Sequence, residues 1–154
     1  VGDGGVNVLA IDPGKAMGHA VFVNDVLAVA GHGMLSQAEI RETIGLDYSG
    51  TTVVIETPRW YGANNRVDVN DLLGLAEHVG ELRSFYAGIG LHVEQIWPRT
   101  WKGTVPDDIM QKRILSALSK EERERVPLRP RARDVNHNIS DAIGIGLWRL
   151  GRLK

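Results

Sequence analysis

The sequence predicts an α/β fold, one mixed sheet covered by helices, and three observations lead there. Strand-like runs early in the chain are joined by the tight-turn dipeptide Asn24-Asp25. From residue 36 onward, segments with helix and strand periodicity alternate, which is the pattern of crossover units. The composition, 43% apolar and 24% charged over 154 residues, suits a compact domain. No repeat, low-complexity tract or linker divides the chain, so 1–154 is expected to form one domain behind a flexible Gly-rich leader at 1–5. A chain this long removes about two thirds of its extended surface from water on folding, enough for a core without covalent staples.

Val6 to Ile11 is a short apolar run stopped by Asp12-Pro13-Gly14, hence a buried strand and a turn. Residues 18–23 and 26–30 form the hairpin around Asn24-Asp25. Ser36 and Glu39 have capping-box spacing, so a short helix is expected near 37–45. The β-branched run 51–56 reads as a central strand. Between 67 and 87 the apolar residues recur at helical spacing, and Gly88 and Gly90 close that helix. Residues 91–96 form a fifth strand, and Asp107-Asp108 open another helix. Pro127 and Pro130 restrict residues 119–133 to a short helix and a basic loop. A last helix is expected over 138–149, burying Ile139, Ala142, Ile143, Ile145, Gly146 and Leu150. The resulting sheet has five strands, three antiparallel and then parallel ones.

Several function classes are excluded at once. With no Cys there is no thiol nucleophile, Cys-based zinc site or disulfide scaffold. The chain has neither an uninterrupted apolar span of membrane length nor a signal-peptide start, so no membrane partner and a cytoplasmic location are expected. The net charge of −1 hides an asymmetry. Residues 1–96 carry 5 Lys/Arg against 12 Asp/Glu, and residues 97–154 carry 13 against 7. A basic part suited to an anionic partner and an acidic cluster elsewhere would give this distribution, as would two unrelated solvated surfaces.

Asp12, Glu56 and Asp141 stand at the ends of two strands and in the first turns of the last helix. Each has a plain structural reading, as a turn residue, a first exposed residue and a helix N-terminal charge. If the first and fourth strands are parallel neighbours, however, all three meet at the open end of the sheet, where ligands bind. Such a group of hard oxygen donors suits Mg²⁺ or Mn²⁺, and a bound dication keeps the acids ionised against their mutual repulsion.

The run from Val8 to Gly14 with Gly18 after it, Val53 to Glu56, and Ser140-Asp141-Ala142 entering an apolar last helix together resemble the RuvC family of Holliday junction resolvases, in the ribonuclease H-like superfamily. The short length and divergent loops look more like a phage-type member than a cellular one. The resemblance implies a two-metal endonuclease that cuts four-way DNA junctions by paired symmetric nicks, leaving 5′-phosphate and 3′-hydroxyl ends, with Asp12, Glu56 and Asp141 as ligands of two Mg²⁺ (Mn²⁺ substituting) about 3.5–4 Å apart. Family members carry an Asp or His three residues before the last Asp. Here Asn138 holds that position with His137 beside it, so the fourth ligand is expected to be His137 or Asn138, with Asp134 more distant. Lys102 and Lys112 match the family's basic residues before and within the penultimate helix and would lie near the scissile phosphate.

DNA contacts are expected from Arg59, Trp60, Tyr61 and Arg66 after the fourth strand, where the family inserts an aromatic ring at the branch point. Trp97 and Trp101 are expected to pack. Arg129, Arg131 and Arg133 supply a positive surface for phosphates. Two matched nicks imply a homodimer, with Leu72, Leu75, Ala76 and Val79 of the long helix as candidate interface residues unless the sheet consumes that face. Two other readings remain open: a less specific DNA or RNA nuclease, and a junction-binding module without catalysis. An actin-like ATPase, suggested by Asp12-Pro13-Gly14, needs two domains and does not fit this length, so no nucleotide cofactor is expected.

Overall fold

The computed structural model describes residues 4–60, 68–127 and 133–154, the stretch 133–136 by its backbone alone. Its strands are β1 (Val8–Asp12), β2 (Gly18–Val23), β3 (Val26–His32), β4 (Thr52–Glu56) and β5 (His92–Ile96). Its helices are α1 (Gln37–Ile44), α2 (Val69–Gly88), α3 (Pro98–Lys102), α4 (Asp107–Ala117), α5 (Lys120–Glu124) and α6 (Arg133–Arg149). The sheet order is β3-β2-β1-β4-β5, antiparallel between β1, β2 and β3 and parallel between β1, β4 and β5. This is the mixed sheet expected from the element order. Among the described residues no helix is long and apolar enough to cross a membrane.

The β2–β3 hairpin turns as its sequence demands. Asn24 and Asp25 have φ of 50° and 68°, the left-handed pair that a type I′ turn requires. Hydrogen bonds to the segment before β1 hold the turn: Asp25 Oδ1 accepts from the Val6 N–H at 3.1 Å, and the Asn24 N–H donates to Asn7 Oδ1 at 3.0 Å.

Every residue of β1 is buried, because helices cover both faces of the sheet. Val8, Ala10 and Val54 point into the layer built by Trp101, Met110, Ile114 and α6, while Leu9, Ile11, Val53 and Ile55 point toward α1 and α2. The α6 stripe of Ile139, Ala142, Ile143 and Ile145 is at most 3% exposed, as its spacing predicts, and Leu147 joins it. The helix lies so close to β2 that a Cβ on Gly18 would fall 2.1 Å from the Asn138 carbonyl oxygen. Glycine is therefore a steric requirement at position 18.

On the far side of that layer Glu122 locks three segments together. It accepts from the Leu27 N–H at 2.7 Å and from both terminal nitrogens of Arg152 at 2.7–2.8 Å, and it closes the capping box with Ser119. These donors, Arg152 foremost, outweigh the effect of burial and hold its carboxyl down at about 2.

Three expectations need correction. The last helix starts at Arg133, five residues before the expected Asn138, because the charged segment preceding Asn138 continues the helix. Between the fifth strand and the helix opened by Asp107-Asp108, where the sequence-based order has no element, the chain forms α3, with Pro98 in its first turn supplying a preset φ. Val79, a candidate for an intersubunit face, is spent on the core with Leu82 and Tyr86.

Candidate active site

The parallel register pairs Ile11 with Ile55, so the next residues, Asp12 and Glu56, end neighbouring strands side by side. Adjacent strands lie about 4.8 Å apart, and the period of two sends both side chains to the α6 face, like Ala10 and Val54 before them. Gly18 is the register partner of Asp12 across the β1–β2 pair. Because the Asn138 backbone rests on Gly18, the next helical turn carries Asp141 over the same strand end.

Asp12 and Asp141 are each 6% exposed. Burial first, then the charges of Glu56 and Asp141, raise the Asp12 carboxyl from 3.8 to about 7 against the smaller opposing pull of the Gly14 N–H and Lys102. The Gly14 N–H donates to Asp12 Oδ1 at 3.1 Å, an Asx-type turn that orients the acid. Burial likewise lifts Glu56 above its usual value, opposed by a hydrogen bond from the Trp101 indole. Asp141 is also raised by burial and is drawn down by Lys102 and His137.

Two basic side chains, Lys102 and His137, face these acids. The Lys102 ammonium lies 3.2 Å from Asp141 Oδ2 and 2.7 Å from Asp107 Oδ1. Burial alone would lower its pKa, but the two acids win and raise it, so Lys102 stays charged. His137 Nε2 lies 3.2 Å from the same Asp141 oxygen, one helical turn back, with a third of its side chain exposed. Asn138 is turned to another task. Its Nδ2 donates to the Ala16 carbonyl at 2.8 Å, and its carboxamide packs against Gly14, so it pins the loop that carries Asp12. Lying inside α6, it is not the helix cap its residue type suggests.

The donor set fits a hard dication. Burial raises the proton affinity of all three carboxylates, Glu56 and Asp141 raise that of Asp12 further and Asp141 that of Glu56, and a divalent cation relieves such repulsion. Among the described residues, however, no three Asp, Glu or His side chains are drawn up to the spacing of a metal's ligands. Oxygens of all three acids are instead engaged by protein donors: Gly14 on Asp12, Trp101 on Glu56, and Lys102 on Asp141.

Outside the acid cluster the expected residues scatter. Lys112 is on the exposed side of α4, and no described hydrogen bond or ion pair joins it to the acids. The Arg59 guanidinium lies 3.9 Å above the Trp97 ring, and Trp60 is 45% exposed. Trp97, expected to pack, is 47% exposed and serves as this platform. Tyr61, Arg66, Arg129 and Arg131 lie outside the described residues, as do the side chains of Arg133 and Asp134.

Two participants are absent from the sequence-based set. Trp101 is 5% exposed, as a packing residue should be, yet its Nε1–H donates to Glu56 Oε2 at 2.6 Å. The available signal was chemical: a buried indole N–H must find an acceptor. Asp107, legible only as a helix N-terminal charge, is also the closest partner of Lys102.

No protein-family model matches the sequence. No curated protein matches it either. Among solved structures, Thermus thermophilus RuvC in complex with Holliday junction substrate aligns with 97% of this chain and 98% of its own, at TM-score 0.57 and 19% identity. A further T. thermophilus RuvC structure aligns with 97% and 99% of the two chains, at TM-score 0.49 and 18% identity. The sheet order, the helices on its two faces and the near-complete overlap of the two chains give this protein the ribonuclease H-like fold of RuvC.

Proposed function

We propose that the chain is a divalent-metal-dependent endonuclease that resolves four-way DNA junctions by paired symmetric nicks. The gathering of Asp12, Glu56 and Asp141 at one end of the β1–β4 pair carries this reading. The fold likeness supports it, since the RuvC structure that overlaps this chain holds a Holliday junction substrate.

Asp12, Glu56 and Asp141 would hold Mg²⁺ or Mn²⁺, two per site, with His137 as the further ligand. Bound there, the cations would supply charge neutralisation at the phosphate and a water of lowered pKa, consistent with products bearing 5′-phosphate and 3′-hydroxyl ends. The chain's own groups prepare the site. Gly14 and Asn138 fix the Asp12 loop. Lys102 keeps a positive charge among the acids, where it can face a phosphate oxygen. The stacked Arg59 and the exposed Trp60, just beyond β4, offer a cation and an aromatic face to a DNA backbone and an unstacked base. Two active sites are needed for two nicks, so the working form is a homodimer. The exposed Val69 and Leu73 on the first half of α2 leave apolar surface for a partner copy.

The test is cleavage of a synthetic four-way junction in Mg²⁺ or Mn²⁺. Symmetric nicks are expected, and Asp12→Asn should bind the junction without cutting it. Equal cutting of linear duplex would replace this reading with that of a less specific nuclease. Tight binding without cutting in either metal would reduce the chain to a binding module.

A further inference from the structure

Trp101 joins the acid cluster to the core. Its ring is held between α6 and the sheet layer, and a Cβ on Gly144 would lie 2.5 Å from the ring's Cζ3, so Gly144 makes room for it. The edge of that ring aims Nε1–H at Glu56 Oε2, at 2.6 Å. An indole can only donate, and it does so in one direction fixed by a rigid, fully packed ring. Glu56 therefore has one oxygen spoken for and one, Oε1, without a described hydrogen-bond partner.

We infer that Trp101 is a positioning residue: it fixes the Glu56 carboxylate through Oε2 so that Oε1 is the atom presented to a divalent cation. The inference rests on the proposed metal site and adds a residue that touches neither metal nor substrate. Hydrogen bonds from a second layer restrict the rotation of a ligating carboxylate and are worth about 10–100-fold in metal affinity. The sequence neighbour of Trp101 acts on a different acid, Lys102 on Asp141, so α3 clamps carboxylates from β4 and α6 with adjacent side chains.

The experiment compares the unmodified full chain with Trp101→Phe, which keeps an aromatic ring but has no donor. A second variant carries benzothienylalanine at 101, which keeps the bicyclic shape and replaces N–H by sulfur. Mn²⁺ binding to the DNA-free protein is measured by calorimetry, together with thermal unfolding, metal-free junction affinity, and kcat and KM for junction cutting. About tenfold or greater loss of Mn²⁺ affinity is expected in both variants, with unchanged metal-free junction affinity and the loss of activity in kcat rather than KM. The benzothienyl variant should unfold at the parent's temperature, which separates the lost donor from lost packing. If Trp101→Phe does not fold, the benzothienyl variant alone decides. Parent-like Mn²⁺ affinity in the benzothienyl variant, within twofold, overturns the inference and leaves the nuclease reading intact. Weakened Mn²⁺ binding in a protein that cuts no junction supports the inference and removes the nuclease reading. A parent protein that binds no Mn²⁺ overturns both.

Discussion

Replacing Asp12 by Asn should make the metal-free protein more stable at pH 8 and change it little near pH 4. In the folded chain the Asp12 carboxyl is raised from 3.8 to about 7, by burial first and then by Glu56 and Asp141. Between those two pH values the native state holds a proton that the unfolded chain has lost, so stability falls as pH rises through the window and is lowest above about 7. At about 1.4 kcal/mol for each tenfold change in proton affinity, the full displacement corresponds to roughly 4 kcal/mol, and relaxation of the site brings the measurable effect to roughly 2–4 kcal/mol. Asparagine has nearly the same shape, can still accept from the Gly14 N–H and carries no charge. Urea unfolding in a chelator would read the difference directly, and in thermal scans at pH 8 it would amount to roughly 6–12 °C. Equal stability of the two proteins at pH 8, or a gain of the same size at pH 4, would refute the claim that these acids repel one another in a shared buried site.

Two further substitutions test the frame around the site. Glu122→Gln should cost about 2–3 kcal/mol at neutral pH, since it strips the charge from a buried bidentate pair with Arg152. Because the folded value of Glu122 is held at about 2, below its ordinary 4.5, the parent's advantage should fade as pH falls from about 4.5 toward 2, which acid-unfolding curves of both proteins would show. Gly18→Ala should cost about 2 kcal/mol or more, because the new methyl would meet backbone rather than a movable side chain. Denaturant unfolding measures it, and a cost below about 0.5 kcal/mol would mean that α6 does not rest on β2 at this point.

Much of the fold was legible because its signals are local. The Asn24-Asp25 turn, the Ser36–Glu39 capping box and the apolar stripe of α6 each require only neighbours in sequence, and each stands where the sequence puts it. Legibility failed where the deciding partner is distant. Asn138 has the residue type of a helix cap, but its side chain turns to Ala16, 122 positions away, and the helix runs through it. Trp101 and Trp97 are four residues apart and read alike. Only the packing of α3 makes the first a buried donor to Glu56 and the second an open shelf for Arg59. In the acid cluster, Asp12 and Glu56 could be nominated from their places at strand ends, whereas Asp141, expected in the first turns of the last helix, stands midway along α6. Lys102 and His137 were nominated through the resemblance alone, and the partners of Lys102 were not legible, since it reaches Asp107 and Asp141 only because α3 and α6 pack together.

The separation of Asp12, Glu56 and Asp141 along the chain sets an order of events during synthesis. The strands that carry the first two acids leave the ribosome early, but the third waits for α6, which also supplies Ile139, Ala142, Ile143, Ile145 and Leu147 to one core layer. A nascent chain therefore carries an unshielded pair of acids on an uncovered sheet face, and neither compactness nor the complete cluster is available until translation has passed residue 141. A truncated product that stops short of that point lacks Asp141, and with it the third wall of the acidic pocket.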